Sequence, residues 1–454
     1  IQPLSDDYIK FIRFAHDRIE RTGSGIVAMI TNNSFLSGLI HRGMREELSK
    51  SFNNIRILNL HGDSLLKEVS PSGEKDENVF DIRQGVSITI LIRTEKIDSS
   101  TTSIKYSDLW GKRERKYKDL RDNSISTIFW KQIDVMPPNY FFTPTNYKNG
   151  KEYEKFFPII KISNKYGTGC ETRKDKLWVG YEKQELINRL KYFTDKNRTI
   201  SEINEKLGVN STKYWKIEEI RDIVNESKID DHIQDISYRP FDLRVVYYNK
   251  QVIPRGSHSY PLMHHMFNNN LCLIVNRQIN KSLVRHFFVS TNISDRHILE
   301  TAHASMQCFI LYIYPGKEDI TLFNFNATAH WKPDPDHGNR VPNLDPGFVA
   351  KLETKIGLNF DPHLAGRDHA IDDTFGPEDI LAYIYAVFHS PTYRQRYAEF
   401  LKIDFPRVPL TSDADLFRVL VDKGRQLIAL HLMESPLLQN SITHYPIPGD
   451  NIVA

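Results

Sequence analysis

The pattern of hydrophobic and polar positions near the start of the chain predicts alternating strands and helices. Residues 26–30 and 85–92 are short apolar runs rich in β-branched residues, without polar alternation. Such runs are typical of strands covered on both faces of an α/β sheet, so neither strand is expected at the surface. Residues 42–48 follow a helical pattern, and residues 55–60 form a third apolar run. The order strand, helix, strand, loop, strand predicts half of a doubly wound sheet.

The pattern changes twice further along the chain. Beyond residue 125, short apolar segments rich in aromatic residues alternate with turns, and residues 183–224 are helical, which predicts an α+β domain. Beyond residue 323, a loop is followed by several helical segments. The predicted divisions are a sheet unit at residues 1–105, a linker at 106–125, an α+β domain at 126–325 and a helical region at 326–454.

Composition and charge narrow the possible classes of protein. The 60 Lys and Arg residues nearly balance the 57 Asp and Glu residues, so a basic surface requires local clustering. The three cysteines have no CxxC spacing, which favours a reducing compartment and argues against disulfides or structural zinc. No apolar run approaches the ~18 residues of a membrane helix. We therefore expect a cytoplasmic protein without a membrane partner.

Several segments of the first unit match, in order, those of a known enzyme class. They are residues 8–12, 26–36, 45–48, 57–62, 77–82 and 85–88. Together they resemble the second half of γ-class N6-adenine DNA methyltransferases, and more narrowly the type IIG and single-polypeptide type ISP restriction-modification enzymes. This resemblance implies the back half of a Rossmann-like methyltransferase sheet, followed by a target recognition domain. It also implies S-adenosylmethionine as the methyl donor.

The resemblance further implies that this chain is part of a longer polypeptide. The glycine-containing loop that cradles S-adenosylmethionine and the Asn-Pro-Pro-Tyr catalytic motif are both expected upstream of Ile1, so no catalytic residue is assigned here. The nearest match, Pro-Pro-Asn-Tyr at residues 137–140, has a different order and is interpreted as a turn. Any nuclease or helicase domains are also expected upstream. This chain alone is not expected to methylate DNA.

The resemblance gives Phe80 a specific role. In the methyltransferase family, the matching aromatic residue stacks on the adenine that is flipped out of the duplex, because an extruded base needs a new π-face. The alternative is a core phenylalanine at the entrance of a strand. Residues 31–33 close the first strand at its carboxyl end, where they serve either as caps or in substrate binding.

Residues 167–175, 238–242, 276–278 and 294–296 resemble target recognition domains of the same enzymes. The Gly-Thr-Gly at 167–169 offers a backbone that a phosphate can approach closely. Hydroxyl, cationic and amide side chains in the neighbouring loops suit contacts to phosphates and base edges. Arg239 is instead interpreted as structural, paired with Asp242 or Asp235. The expected DNA-binding residues are Thr172, Arg173, Lys174, Arg277, Gln278 and Lys281.

Other functions receive less support from the sequence. The histidines of residues 258–303 lack a metal-binding spacing, so no metal is expected, and the absence of GxxxxGK[ST] argues against ATP hydrolysis by this chain. The charged run at residues 112–116 is interpreted as a solvated helix face. The expected partner is double-stranded DNA. An alternative is a non-catalytic specificity module that docks on a separate methyltransferase subunit, and a further alternative is a metal-dependent nuclease.

Overall fold

The chain folds into two units, Ile1–Tyr147 and Lys148–Ala454, in the computed structural model. No helix of the described residues is both long enough and apolar enough to span a membrane. The structure describes residues 2–65, 68–94, 102–224, 228–253, 256–277, 287–299, 306–316, 330–364, 366–367 and 369–440.

A five-stranded sheet organises the first unit. Its strands lie in the order β1-β3-β2-β4-β5. β3 is antiparallel to both β1 and β2, and β2 is parallel to β4, so β1, β2 and β4 share one direction. The elements are α1 (Asp7–Thr22), β1 (Gly25–Asn32), α2 (Arg42–Ser51), β2 (Asn54–His61), β3 (Val86–Arg93), β4 (Ser103–Asp108), α3 (Arg113–Asp122) and β5 (Lys131–Gln132).

The prediction that β1 is covered on both faces was wrong. β1 lies at the end of the strand order, with β3 as its one neighbour in the described sheet. Ile26 is 67% exposed and Ile30 is 53% exposed. Val27 and Met29, which lie between them in the strand, pack against the core. The side chains on the open face of β1 are apolar as well, so the sequence lacks the alternation that normally marks a half-exposed strand.

The second unit contains several small sheets. The larger two have the orders β12-β8-β9-β7 and β11-β10-β13, and the remaining strands pair as β14-β15, β16-β17 and β18-β6. The strands are β6 (Phe157–Pro158), β7 (Val179–Gly180), β8 (Ile233–Arg239), β9 (Asp242–Tyr247), β10 (Cys272–Asn276), β11 (Phe287–Ser290), β12 (Ile293–Ser294), β13 (Met306–Ile310), β14 (Tyr312–Ile313), β15 (Val341–Pro342), β16 (Asn359–Phe360), β17 (Thr374–Phe375) and β18 (Arg407–Val408).

The helices of the second unit are interspersed with these strands, which makes the unit a mixture of helices and small sheets. The stretch predicted as helical at residues 183–224 contains three separate helices. The helices are α4 (Gly150–Tyr153), α5 (Asp175–Trp178), α6 (Lys183–Thr194), α7 (Ile200–Leu207), α8 (Ile217–Ile223), α9 (Gly256–Met263), α10 (Pro346–Ile356), α11 (Pro377–His389), α12 (Pro391–Arg396), α13 (Ala398–Leu401) and α14 (Ala414–His431).

Two hydrophobic cores support the second unit. One surrounds the fully buried Trp178 and includes apolar residues of β7, β8 and β9. The other surrounds α11, in which every residue from Pro377 to Phe388 is buried. A helix that is apolar on nearly all sides is typical of the centre of a core. The core around Trp178 supports the surface loops near β7, β8 and β9.

Candidate DNA-binding site

A cavity of about 490 Å³ in the second unit brings together three of the residues predicted to bind DNA. Thr172, Arg173 and Lys174 lie on one part of its wall, in the loop just before α5. Asn210 lies on another part, in the segment that follows α7. The acidic residues Glu171, Asp175 and Asp295 also line the cavity.

Arg173 is held in an unusual backbone conformation. Its φ is 55°, in the left-handed region that non-glycine residues seldom adopt. The side chain is 48% exposed, and its Nε donates to Glu171 Oε1 at 2.8 Å. Glu171 also accepts a hydrogen bond from Arg296. Burial acts to raise the pKa of Glu171, but the bonds and charges of the two arginines lower it, so the carboxylate stays charged and holds Arg173 at the cavity.

Lys174 lies beside Arg173 and is held by a hydrogen bond and by an aromatic ring. Its Nζ donates to the Asn210 carbonyl oxygen at 2.8 Å and lies 4.4 Å from the centre of the Trp215 ring. Burial lowers the pKa of Lys174. A lysine ammonium has three donors, so this arrangement leaves capacity for a ligand in the cavity.

Thr172 has a structural partner. The residue is 1% exposed, and its hydroxyl donates to the Asp175 carboxylate. The Tyr238 hydroxyl donates to the other oxygen of the same carboxylate at 2.6 Å. Thr172 and Asp175 therefore position the loop that presents Arg173 and Lys174.

The glycines at residues 167–169 serve internal packing, which corrects the expectation of a phosphate approach. The Gly167 N–H donates to the Cys308 carbonyl oxygen, and the Cys170 N–H donates to the Ser294 carbonyl oxygen. A Cβ on Gly169 would lie 2.3 Å from that same Ser294 oxygen. The small residue is therefore required because two backbone segments of the protein pack closely together.

Arg277 is the one other predicted DNA-binding residue that the structure describes, and it does not line this cavity. Arg277 follows β10, where its Nε donates to Asp404 at 2.9 Å and its guanidinium lies 5.7 Å from the centre of the Phe405 ring. Gln278 and Lys281 lie outside the described residues.

Arg239 has an intramolecular partner, as predicted, but a different one. It pairs with Asp295 at 2.9 Å, whereas Asp242 pairs with Arg244. The sequence suggested Asp242 or Asp235 because these lie nearby in the chain. β12 is parallel to β8, and this pairing brings the more distant Asp295 to Arg239.

In the first unit, Phe80 lies in the loop between β2 and β3. Phe80 is 44% exposed, so it is not a core residue. The Phe80 N–H donates to Asn78 Oδ1 at 2.9 Å, and Arg113 donates to the Phe80 carbonyl oxygen at 3.0 Å. Both backbone polar groups of Phe80 are thus bound, and the side chain is presented from a fixed backbone.

A buried lysine anchors the same loop. Lys112, Glu114 and Arg115 are exposed, as interpreted for the run at residues 112–116, but for Lys116 the interpretation as part of a solvated face was wrong. The Lys116 side chain is fully buried. Its Nζ donates to Asp76 Oδ2 at 2.8 Å and to the carbonyl oxygens of Leu60 and Glu77, each at 2.7 Å. All three ammonium donors are satisfied, as a buried charge requires.

A polar network that the sequence did not predict lies at the carboxyl ends of β2 and β4. His61 has a φ of 53° and stacks on Trp110 with the ring centres 3.3 Å apart. Its Nε2 lies 2.7 Å from Asp108, and its Nδ1 lies 3.2 Å from Glu68. Burial acts to lower the pKa of His61, but the two carboxylates outweigh burial and raise it. Asp108 is 47 residues away from His61 in the sequence, and Glu68 lies in the loop that follows β2. No local sequence pattern therefore indicated the network.

Asn32 and Asn33, expected either to cap or to bind substrate, have internal partners. The Asn32 side chain accepts from the Ser34 N–H at 2.8 Å, which caps the short helix that follows. Asn33 donates to Asn59 at 3.0 Å. Asn59 in turn donates to the Tyr106 hydroxyl at 3.0 Å, so polar side chains of neighbouring strands are connected along one end of the sheet.

Comparison with known proteins gives both a family and a fold. No curated protein matches the chain. Solved structures that are similar over nearly its whole length include a DrdV–DNA complex (22% identity, TM-score 0.64), the ATP-dependent Type ISP restriction-modification enzyme LlaBIII bound to DNA (21%, 0.62), and a nuclease-deletion mutant of the Type ISP restriction-modification enzyme LlaGI in complex with a DNA substrate mimic (21%, 0.59).

These similarities cover 94%, 94% and 95% of this chain, but 40%, 26% and 37% of the respective larger chains. At such identities they establish a shared fold alone. The family model of the Type ISP C-terminal specificity domain matches residues 161–454, which is more than half of the chain and includes the cavity. This protein therefore belongs to the family of Type ISP C-terminal specificity domains.

Proposed function

We propose that this chain recognises a specific sequence in duplex DNA on behalf of a restriction-modification enzyme that methylates adenine at N6. The observation that carries the proposal is the pair of cations, Arg173 and Lys174, presented side by side at a cavity within the specificity domain. The three similar solved structures are DNA complexes of larger proteins, which supports DNA as the partner and further domains in the same polypeptide.

Arg173 and Lys174 suit different parts of a DNA ligand. The planar guanidinium of Arg173 can bind a guanine edge or a phosphate through two hydrogen bonds, whereas the Lys174 ammonium acts as a point charge on phosphate. In the free protein Glu171 keeps Arg173 oriented. Thr172 contributes by positioning the loop, and Arg277, Gln278 and Lys281 are proposed to add further contacts to the DNA.

The proposed recognition can be tested by selection from a random duplex library at two salt concentrations. We expect one short motif to be enriched, with preference over other sequences retained at the higher salt. Replacement of Arg173 by alanine should weaken binding to that motif about 5- to 150-fold, since a bidentate base contact contributes ~1–3 kcal/mol.

Arg198 offers a matched control in the same unit. Its side chain is 44% exposed and is paired with Asp195, but it is not among the residues that line the cavity. Arg198→Ala should bind the motif like the parent chain. Binding that is salt-sensitive and blind to sequence in every variant would contradict recognition by these residues.

The first unit is proposed to complete an N6-adenine methyltransferase domain. The open face of β1 carries Ile26 and Ile30, and its outer edge has no partner strand among the described residues. An apolar edge strand of this kind is normally covered by another element. The upstream half implied by the resemblance would extend the sheet there, although a separate methyltransferase subunit fits the same edge. The much longer similar chains favour a single polypeptide.

The cofactor of this domain is proposed to be S-adenosylmethionine, which supplies the transferred methyl group when bound. The residues described here fit only one border of such a site. The polar side chains at the carboxyl ends of the strands, among them Asn59 and Asp108, are largely bonded to one another. Most of the cofactor site is therefore assigned to the upstream half.

Phe80 is proposed to stack on the flipped adenine. In the complete polypeptide, Phe80→Ala should lower kcat/KM for adenine methylation about tenfold or more, because stacking contributes ~1–3 kcal/mol per base. Phe80→Trp should retain most of the activity, since it retains an aromatic face. Ile82 lies in the same loop and is similarly exposed, so Ile82→Ala serves as the control. An equal loss in the Ile82 variant would indicate a loop effect instead of stacking.

A further inference from the structure

Four side chains beside the cavity form a continuous stack. The Arg244 guanidinium lies between two rings, 4.4 Å from the centre of Tyr181 and 4.0 Å from the centre of Tyr238. The Arg239 guanidinium covers Tyr238 at 4.1 Å. The order along the stack is therefore Tyr181, Arg244, Tyr238 and Arg239. These four residues come from β8, from β9 and from the segment just after β7.

A carboxylate fixes each member of the stack other than Tyr181. Asp242 binds Arg244 through both oxygens at 2.8–3.1 Å. Asp175 accepts from the Tyr238 hydroxyl at 2.6 Å, and Asp295 accepts from Arg239 at 2.9 Å. These hydrogen bonds hold both guanidinium groups and the Tyr238 ring in place without relying on the stacking itself, so the arrangement is formed before any ligand binds.

Tyr181 is the open end of the stack. It is 64% exposed, and Arg244 covers one face of its ring. No hydrogen bond to its hydroxyl is found within the described parts of the chain. A large aromatic side chain with one supported face and one face in solvent is suited to bind another flat, apolar surface.

The other end of the stack reaches the proposed DNA-binding cavity. Asp175 and Asp295, which hold Tyr238 and Arg239, both line that cavity together with Arg173. A duplex in contact with Arg173 would therefore lie close to the stack. This continuity links the open ring of Tyr181 to DNA instead of to an unrelated ligand.

The charges of the stack favour a base over a phosphate as the ligand. Each of its two guanidiniums is already paired with a carboxylate, Arg244 with Asp242 and Arg239 with Asp295. A phosphate would have to displace these pairs, whereas a nucleobase needs only the free π-face of Tyr181. Arginine planes and aromatic rings are the usual stacking partners of unpaired bases.

We propose that the exposed face of Tyr181 is a stacking platform for a nucleobase displaced from the duplex that the cavity binds. The proposal rests on DNA recognition by this chain. It assigns a second contact to the same DNA, separate from the adenine pocket proposed at Phe80. The displaced base is either extruded from within the duplex or unpaired at a single-stranded end.

The test compares three DNAs that contain the selected motif: a matched duplex, a duplex with a single-base bulge, and a duplex with a short single-stranded end. The parent chain should prefer one of the two DNAs with an unpaired base by about 5- to 100-fold, the range for one base on an aromatic ring. Preference for the bulge or for the end identifies the source of the base.

Variants of Tyr181 identify the platform. Tyr181→Ala should lose that preference, with binding of the DNA that has the unpaired base weakened more than binding of the matched duplex, and Tyr181→Trp should keep or increase the preference, since both aromatic residues offer a π-face. Tyr214 is the matched control, because it is 89% exposed but contacts only the Lys213 ammonium, at 5.3 Å, among the described aromatic and cationic contacts. Thermal unfolding of each variant, followed in parallel, should be unchanged from the parent.

Several outcomes would overturn the proposal. Equal weakening of all three DNAs by Tyr181→Ala would indicate a general surface contact, and an unchanged preference would exclude Tyr181. If the parent selects a motif but does not prefer an unpaired base, the platform is refuted while DNA recognition stands. If the parent selects no motif, both proposals fail.

Discussion

Replacement of Gly424 by alanine is expected to destabilise the second unit by about 3 kcal/mol or more, at the upper end of the usual cost of overpacking. Gly424 lies in α14 (Ala414–His431), which packs against the buried α11 (Pro377–His389). A Cβ at Gly424 would lie 1.9 Å from the Ala382 carbonyl oxygen and 2.5 Å from its carbonyl carbon. Because these atoms belong to the helix backbone, the whole helix would have to shift. Chemical denaturation measures the loss.

Hydrogen exchange can locate this effect within the chain. Peptides from α11 should exchange faster in the Gly424 variant, whereas peptides from the sheet of the first unit should be unchanged. Gly43 is a suitable control because it lies in α2 and a Cβ there would meet nothing within 4 Å. Gly43→Ala should be neutral or slightly stabilising, by up to ~1 kcal/mol. Full stability of the Gly424 variant would contradict the described packing of α11 and α14.

The second large effect is expected at Lys116. Lys116→Met should destabilise the first unit by about 3–5 kcal/mol, because it leaves the buried carboxylate of Asp76 without its charge partner. The carbonyl oxygens of Leu60 and Glu77 lose donors as well. The same change should loosen the loop that presents Phe80. Urea denaturation and hydrogen exchange of that loop measure the two consequences.

A second substitution tests the electrostatic cause. Lys116→Met combined with Asp76→Asn should recover part of the lost stability, because the remaining amide carries no charge, although it still accepts from the Gly111 N–H. Lys118 lies on an exposed part of the same helix, and Lys118→Met should change stability by less than about 0.5 kcal/mol. A double variant as unstable as the single one would assign the loss to packing instead of charge.

The sequence by itself determined the family and the local elements that depend on neighbouring residues. The apolar runs at residues 26–30, 55–60 and 85–92 became β1, β2 and β3, because strand formation follows from short-range patterning. Segments between residues 167 and 296 resembled target recognition domains of type IIG and type ISP enzymes, and the family model of the Type ISP C-terminal specificity domain over residues 161–454 agrees. The sequence also predicted Thr172, Arg173 and Lys174 as a group because they are adjacent in the chain; all three line one cavity, and their role in DNA binding stays a prediction.

Only the tertiary structure decided which residues meet across the chain. β1 became an exposed edge because the strand order, which no local pattern encodes, gave it a single neighbour among the described strands. Lys116 resembled a surface charge in the sequence, since its partner Asp76 is 40 residues away. The stack from Tyr181 to Arg239 likewise requires three chain segments to meet. Local patterns report burial and periodicity, whereas pairing between distant residues depends on how the elements pack.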